Sequence, residues 1–416
     1  MQVELKYGHG LRSISIPEGV VVSLLQPAVR AGVTDLEAEV RRALKEAERI
    51  FSRPAPQTVA VAVPDATRPL PVPRLLEPIL KKIFAAWPGL ARERVTVIVG
   101  GGLHPPAGEL ELAKVASPEF AGIRVIAHDA FHAPMLDLGR TSLGTPVRVN
   151  AALASADFKV AVGQVDPHQF VGFTGGAKAA AIGCASASTI EQNHALMFRA
   201  GAEPGRLKDN PVRADLDEAG RIIGIDLALN AVLNADNQVA AVFAGKPEQV
   251  LAQAAPVCAE IYGIELADRF DGALISCGGY PKDSSLYQAQ KGLNLASAAV
   301  AEGGLIAMLA ECSQGVGDDR YLEYASRYSS ACEAFEDFQR HPFRMGAHKS
   351  YLFGKTLSRY AVVVESELAP EILARCHLRA GKAEAAVRDF VEAAAGPVRL
   401  AVVPYANTTF FIGPKS

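Results

Sequence analysis

The sequence has no paired cysteines, few aromatic residues and no large excess of charge. Its aromatic content is 7%, with one tryptophan, and its six cysteines are scattered without a C-x-x-C pair. Several cysteines lie inside apolar runs, which favours buried free thiols over a disulfide framework or a zinc site. The formal net charge is −3, so bulk electrostatics favour binding neither to nucleic acid nor to an anionic membrane.

The sequence also lacks the patterns of targeting and membrane-spanning segments. The first residues, MQVELKYGHGLRSISIP, alternate like a β-hairpin and do not have the basic-then-apolar layout of a signal peptide. No apolar stretch is long enough to span a bilayer. These patterns predict a cytoplasmic protein that does not act at a membrane.

Short β-branched runs alternate with longer helical patterns along the 416 residues. Continuous apolar runs are typical of strands buried on both faces of a parallel sheet. The predicted strands are 58–65, 94–102, 124–129 and 158–166, followed by 271–279, 303–311, 360–366 and 398–406. The predicted helices include 34–50, 284–301, 321–340 and 367–395. This order predicts an α/β fold of two domains with mainly parallel sheets, 1–265 and 266–416, and an active site in the cleft between them.

Polar residues follow several of the predicted strands at the point where each strand ends. In open α/β sheets, ligands bind beyond the carboxyl ends of the strands. The residues that follow the strands of the first domain are Asp65, Arg68, His104, Asp166 and His168. Their common position predicts that they meet at one edge of the sheet.

Two polar groups have both a functional and a structural interpretation. Arg68, fixed between a strand end and Pro69, suits bidentate binding of a carboxylate or phosphate; the alternative is an ion pair with Asp65. Gln288 and Lys291 share a helical face. They could hold an anion if that face points into a cleft, and we expect Ser284 or Asp283 to cap the helix.

The stretch FTGGAKAAAIG (173–183) resembles a phosphate loop but does not match one. The P-loop pattern requires a second glycine before the lysine and a hydroxyl residue after it, where this chain has Ala177 and Ala179. Lys178 therefore cannot serve as a P-loop lysine. A desolvated lysine could act as a nucleophile or covalent anchor; the alternative is a partly solvated lysine bonded to nearby carbonyls.

Three histidines, His104, His168 and His194, lie in or beside glycine-rich turns at the predicted sheet edge. A lone histidine there is more often a hydrogen-bonded loop residue, but three beside an Asp, an Arg and a Lys favour chemistry. His128 and His132 have the spacing of a metal pair but no nearby acidic ligand, so we interpret them as structural.

The motifs DATRP, GGGLHPP, DPHQFVGFTGGAK, TIEQNH and YQAQKG resemble, in order and spacing, those of the lactate racemase family. The resemblance covers almost the whole chain. It implies a nickel-pincer nucleotide, a pyridinium mononucleotide whose two sulfur-containing arms and one ring carbon hold nickel. It also implies dependence on the enzymes that synthesise this cofactor.

The resemblance also implies roles for individual residues. Lys178 would hold one cofactor arm as a thioamide, His194 would be the protein ligand of nickel, and His104 and His168 would be paired acid/base groups. The phosphate of the cofactor would lie on Gly172, Thr174, Gly175 and Gly176, with Asp65 hydrogen-bonded near the cofactor. The substrate would be held by Arg68, Gln288, Lys291, Tyr287 and His348.

These roles predict a racemase or C2-epimerase of a 2-hydroxy acid that works by reversible hydride transfer. The alternatives are a 2-hydroxy acid oxidoreductase with the same cofactor, a hydrolase with a histidine-bound metal, and a non-catalytic binding protein. Lactate-specific members place a tryptophan in the second domain, whereas this chain has His348 and Lys349 in the corresponding stretch. That departure predicts a larger or more polar 2-hydroxy acid than lactate, such as a dicarboxylate or a sugar acid. The sequence leaves a monomer and a homodimer open.

Overall fold

The computed structural model describes residues 1–341 and 343–413, and it divides the chain into two compact units. The central unit is Val29–Ile261, and the terminal unit joins Met1–Ala28 to the chain from Tyr262 onward. Within the described residues, no helix has both the length and the apolar character needed to cross a bilayer.

The strands, in chain order, are β1 (Gln2–Tyr7), β2 (Gly10–Ser15), β3 (Val21–Leu24), β4 (Val59–Pro64), β5 (Val95–Gly100), β6 (Arg124–Ala127), β7 (Met135–Arg140), β8 (Pro146–Asn150), β9 (Phe158–Gln164), β10 (Pro167–His168), β11 (Gly172–Phe173), β12 (Leu227–Leu233), β13 (Val239–Gly245), β14 (Gly263–Glu265), β15 (Phe270–Ser276), β16 (Val300–Leu309), β17 (Ala361–Glu365), β18 (Arg379–Ala380), β19 (Arg399–Val403) and β20 (Phe410–Ile412). The α-helices are α1 (Leu36–Glu46), α2 (Glu48–Phe51), α3 (Val72–Ala86), α4 (Glu109–Leu112), α5 (Ala151–Ala154), α6 (Lys178–Ala181), α7 (Ala187–Ala195), α8 (Pro211–Ile223), α9 (Pro247–Tyr262), α10 (Leu286–Ala296), α11 (Asp319–Ala325), α12 (Ala331–Arg340), α13 (His348–Leu357), α14 (Pro370–Arg375) and α15 (Ala383–Ala393).

The central unit is built on a six-stranded sheet with the order β13-β12-β9-β4-β5-β6. All neighbours are parallel except β13, which pairs antiparallel with β12 at the edge. One face of β4 and β5 presents valines to α1 and α3 in the largest apolar core. The other face of β4 and β9 carries small residues such as Ala62 and Gly163, and it is covered by α6. Because those side chains are small, Lys178 at the start of α6 lies close to the sheet.

The terminal unit contains a second six-stranded sheet, all parallel, with the order β18-β17-β16-β15-β19-β3. Helix α10 packs against one face of this sheet. The β1–β2 hairpin and α15 cover the other face, through Leu5, Ile14 and Val387 among others. The predicted α/β class with mainly parallel sheets is therefore confirmed in each unit.

The division of the chain differs from the prediction at the N-terminus. Residues 1–28 belong with the C-terminal part rather than with a domain 1–265, because β3 pairs with β19 and the β1–β2 hairpin packs on the second sheet. The later boundary lies at Ile261, close to the predicted residue 265. Strand β3 has four residues, the two at its ends are exposed, and its sequence does not indicate which sheet it joins.

Two predicted helices are each divided in the structure. The segment 321–340 forms α11 and α12, because Ser330 begins a new helix by accepting a hydrogen bond from the Glu333 amide at 3.2 Å. The segment 367–395 forms α14 and α15, separated by β18. His377 lies in the left-handed region there, with φ of 59°, a conformation that ends a helix.

Candidate active site

Asp65 and His104 form a hydrogen-bonded pair at the carboxyl edge of the central sheet. Asp65 follows β4 and His104 follows β5, and Nδ1 of His104 lies 2.7 Å from Oδ2 of Asp65. A carboxylate only accepts hydrogen bonds, so this assigns the proton to Nδ1 and leaves Nε2 of a neutral His104 as an acceptor. Gly101 is required here because a Cβ at this position would lie 2.4 Å from the same carboxylate oxygen.

The Asp65 carboxyl group is buried but remains ionised. Burial alone would raise its pKa. The hydrogen bond from His104, and its positive charge when the ring is protonated, outweigh burial and lower the pKa, with smaller effects from Thr67 and Arg68. Arg68 itself is exposed. Among the described residues it forms no ion pair within 4 Å, so the ion-pair interpretation with Asp65 is not confirmed.

The loop that carries His104 packs against the segment that follows Lys178. The Gly102 amide donates to the Gly183 carbonyl at 3.0 Å. A Cβ on Gly102 would lie 3.6 Å from Ile190 in α7, the helix that carries His194. The loops after β5 and β9 and the start of α7 therefore meet at one edge of the sheet.

His168 lies in a small antiparallel hairpin, β10–β11, directly after β9. Its Nδ1 accepts long hydrogen bonds from the amides of Phe170 and Val171, at 3.5 and 3.4 Å. These contacts place the proton of a neutral ring on Nε2. Neutral His168 therefore presents a donor at Nε2, whereas neutral His104 presents an acceptor.

Phe170 links two of the predicted site histidines and was not identified from the sequence. Its ring stacks edge-on to His168, with centroids 4.5 Å apart, and edge-on to His194, with centroids 5.2 Å apart. It is buried, so it fixes the separation of these two histidines. The only sequence feature that could have identified Phe170 is its position in DPHQFVG, two residues after the candidate histidine His168.

His194, near the C-terminal end of α7, is held as a neutral imidazole. Burial is the main cause that lowers its pKa to about 3, and the positive charge of Lys178 adds to the shift. The two predicted cofactor residues therefore lie within electrostatic reach of one another. Nδ1 of His194 is buried without a hydrogen bond of good geometry, although the Ile190 carbonyl is close enough to oppose the shift. A neutral ring with an available nitrogen is the form that binds a metal.

The glycine loop is held tightly by the protein around it. The Thr174 amide donates to the Asp166 carbonyl at 2.8 Å, and the Gly176 amide donates to Oδ1 of buried Asn230 at 2.6 Å. These two amides are therefore unavailable for the phosphate contact that we expected from them. Among the described residues, the amides of Gly175 and Ala177 form no hydrogen bond. Asn230 was also not identified from the sequence. The feature that could have indicated it is a single amide side chain within the apolar run LALNAVL of β12.

Replacing Gly175 by alanine should destabilise the central unit more than the same change at Gly144. Both residues have nearly the same φ, 90° and 89°, but a Cβ at Gly175 would lie 2.6 Å from Cγ2 of Val165, whereas Gly144 faces open space. We expect a loss of about 1–2 kcal/mol for Gly144→Ala from the backbone alone. We expect about 2–5 kcal/mol for Gly175→Ala, because overpacking adds to the backbone strain. Thermal unfolding of the two variants measures the difference; equal losses would contradict the tight packing of the loop.

The predicted substrate residues of the second domain lie on two contacting helices of the terminal unit. Tyr287, Gln288 and Lys291 are partly exposed on α10, and His348 is buried at the start of α13. The rings of Tyr287 and His348 are edge-on, with centroids 6.1 Å apart. Helix α10 is capped by Ser285 rather than by Ser284 or Asp283, because Oγ of Ser285 accepts from the Gln288 amide at 3.4 Å.

The remaining polar candidates have structural partners. Nε2 of buried His128 lies 2.9 Å from the Ala185 carbonyl, and exposed His132 pairs with Asp129. Asp129 lies between these two histidines in the sequence, so an acidic group is close to them, but it pairs with His132 while His128 bonds to the backbone. Across residues 1–341 and 343–413 no group of three or more His, Cys, Asp or Glu side chains is arranged to hold a metal ion. All six cysteines are free thiols, five of them buried and Cys332 exposed.

Two family domains match the chain in sequence. Residues 7–205 match the lactate racemase N-terminal domain, and residues 267–407 match the lactate racemase C-terminal domain. The lactate racemase of Thermoanaerobacterium thermosaccharolyticum is 28% identical over 336 residues, which covers 77% of this chain and 77% of that protein. The lactate racemase of Lactiplantibacillus plantarum is 27% identical over 335 residues, covering 78% of this chain and 77% of that protein.

Solved structures share the fold. The apoprotein structure of the Thermoanaerobacterium thermosaccharolyticum lactate racemase has a TM-score of 0.90 and 22% identity, with coverage of 99% of this chain and 100% of that one. A Thermotoga maritima protein has a TM-score of 0.67 and 16% identity, with coverage of 93% and 100%. At these identities the structural likeness supports the fold alone.

Proposed function

The chain belongs to the lactate racemase family, and from this premise we propose that it is an isomerase that racemises, or epimerises at C2, a 2-hydroxy acid. The observation that carries the proposal is the pair of histidines, His104 and His168, at the carboxyl edge of one parallel sheet. Inverting C2 requires that the hydroxyl proton leave on one side of the substrate and return on the other. Two separate acid/base groups meet that requirement.

The residues present fit the cofactor that the family resemblance implies. His194 is a buried imidazole held in its neutral form, the form whose ring nitrogen can bind a metal, and the charge of Lys178 acts on it. We propose that Lys178 holds a nickel-pincer nucleotide covalently and that His194 completes the coordination of nickel. When bound, this group would accept the C2 hydrogen as hydride and return it, which avoids a carbanion beside the carboxylate.

The two histidines would take different roles at rest. Asp65 holds the Nδ1 proton of His104 and would stabilise the imidazolium that forms when Nε2 takes the hydroxyl proton. Nδ1 of His168 faces two backbone amides. When the opposite enantiomer is bound, Nε2–H of His168 would donate a hydrogen bond to the oxygen on C2. For His168 to act as a base, its ring would have to turn away from those amides. His104 is therefore the base that is ready without rearrangement.

The remaining residues would bind the substrate carboxylate and shape the pocket. Arg68 is exposed without an ion pair in the described part of the chain, and a guanidinium so placed suits a carboxylate. Within the terminal unit, we assign Gln288 and Lys291 to binding of a substrate carboxylate, and Tyr287 and His348 to the wall of the pocket. The amides of Gly175 and Ala177, which donate no hydrogen bond within the described residues, would contact the phosphate of the nucleotide together with the turn at Gly172.

An isotope experiment tests the proposed reaction. The full chain, co-produced with the enzymes that synthesise the cofactor, would be given a 2-hydroxy acid deuterated at C2. We expect both enantiomers to appear with the label retained at C2, because the hydrogen leaves and returns without exchange. Chiral separation followed by mass spectrometry measures this outcome. Loss of the label with release of the 2-keto acid would instead support the oxidoreductase alternative.

A further inference from the structure

Lys349 is a buried cation in the terminal unit for which the proposed mechanism has no use. It lies on α13 with 5% of its surface exposed. Its Nζ donates to Oε1 of Gln290 at 2.8 Å and lies 4.2 Å from the centroid of the Tyr287 ring. Among the described residues, no carboxylate lies within ion-pair distance of Nζ. A buried ammonium group without a counter-ion is costly, and three donors are only partly used by these two contacts.

The charges around Lys349 are unbalanced towards the positive. Burial lowers the pKa of Lys349 to about 7, and the nearby positive charge of Lys291 on α10 is the second cause of this shift. The nearest opposing carboxylate, Asp318, is held by Arg320 through bonds of 3.1 and 2.8 Å. The repulsion from Lys291 thus acts on Lys349 more strongly than the attraction to Asp318 does. An anion beside Lys349 would relieve this repulsion.

A second unpartnered donor lies beside the same lysine. Gln290 is fully buried, and although its Oε1 accepts from Lys349, its Nε2 has no hydrogen-bond partner. A carboxylate could accept from this amide and from Nζ at once. Tyr287 and Lys291, which adjoin the pair, are partly exposed, so the cluster reaches the surface of the unit.

We propose that Lys349 and Gln290 bind a second carboxylate of the substrate, so that this enzyme acts on a 2-hydroxy dicarboxylic acid. The inference rests on the proposed function, which assigns the first carboxylate to Lys291 and Gln288. A monocarboxylate of the lactate type would leave Lys349 without a counter-ion. The second carboxylate supplies one.

Binding of the second carboxylate should depend on pH. Tyr287 and Lys291 face Lys349 from α10. Burial raises the pKa of Tyr287 well above its usual range, so this side chain stays neutral. Asp318, which precedes α11 and is paired with Arg320, acts on Lys349 from the other side. His348 precedes Lys349 on α13, and α12 presents aromatic rings to that helix. Because the free Lys349 loses its charge as pH rises through about 7, affinity should fall above neutrality.

Direct binding tests the subsite without turnover. Succinate should raise the melting temperature of the full chain more than propionate does, and Lys349→Met should remove that difference. Methionine keeps the unbranched apolar stem of lysine without the ammonium group. Lys349→Arg should keep part of the effect and lose its pH dependence. Lys355→Met removes an exposed lysine from the same helix and should behave like the wild type. Equal protection of wild type and Lys349→Met by succinate would overturn the subsite.

Turnover then tests the substrate class. With cofactor-loaded protein, kcat/KM for malate should exceed that for lactate at least 10-fold, and Lys349→Met should reverse this preference mainly through KM for malate. Equal values for both acids in the wild type would overturn the proposal. If neither acid is racemised while succinate still distinguishes wild type from Lys349→Met, the proposed function fails and the carboxylate site stands.

Discussion

Lys178→Ala should abolish both the covalent attachment of the cofactor and the racemase activity. The side chain lies at the first residue of α6, where a run of alanines continues the helix, so alanine should be accepted without loss of fold. No other amine is within the loop to replace it. We expect activity to fall by more than about 10³-fold, because the group that accepts the C2 hydrogen would no longer be tethered.

Intact mass spectrometry of the full chain, co-produced with the cofactor-synthesising enzymes, measures this result. The wild type should carry an adduct with the mass of the nucleotide, and Lys178→Ala should not. Lys246→Ala, an exposed lysine of the same unit, is the matched control and should keep the adduct. An adduct that survives in Lys178→Ala would place the attachment elsewhere, and a wild type without any adduct would remove the cofactor assignment.

His104→Gln should slow racemisation by on the order of 10²–10⁴-fold, the usual contribution of a general acid/base. The enantiomers of a 2-hydroxy acid are equally stable, so kcat/KM must fall equally in both directions. The two histidines can be distinguished only in a single half-reaction. We expect His104→Gln to block formation of the 2-keto acid from one enantiomer and His168→Gln to block it from the other.

Rapid mixing of each enantiomer with loaded protein, followed by acid quench and measurement of the 2-keto acid, resolves the two half-reactions. In the wild type, the enantiomer whose hydroxyl faces His104 should react faster, because that base is ready at rest. Asp65→Asn should slow the same half-reaction by on the order of 10–100-fold, since it removes the charge that stabilises the imidazolium. If both histidine variants retain the wild-type rates with both enantiomers, the account with two bases is wrong.

Much of the fold could be predicted because it depends on local patterns. The continuous apolar runs at 58–65 and 94–102 became β4 and β5, buried on both faces. Strands β12 and β13 were not predicted. All of β12 is buried, and β13 pairs antiparallel with it at the edge of the sheet. The place of β3 was missed because its burial is partial and its partner β19 lies at the far end of the chain.

The candidate site could be predicted only as a set of residues, not as a set of contacts. The position of Asp65, His104 and His168 after strand ends followed from the rule for parallel sheets. That Asp65 would bond His104 rather than Arg68 did not follow. The glycine loop was interpreted as a cradle of amides, whereas packing against Asn230 uses the Gly176 amide.

The sequence by itself determined which segments are buried, that the sheets are mainly parallel, and which chemical groups lie beyond the strand ends. The periodicity of apolar residues records the burial of a residue within its own helix or strand. Only the tertiary structure decided the partners: Asp65 with His104 across 39 residues, Gly176 with Asn230 across 54, and Gln290 with Lys349 across 59. Such partners depend on how elements pack in space, and that packing fixes the tautomer of a neutral His104 and leaves Lys349 without a carboxylate.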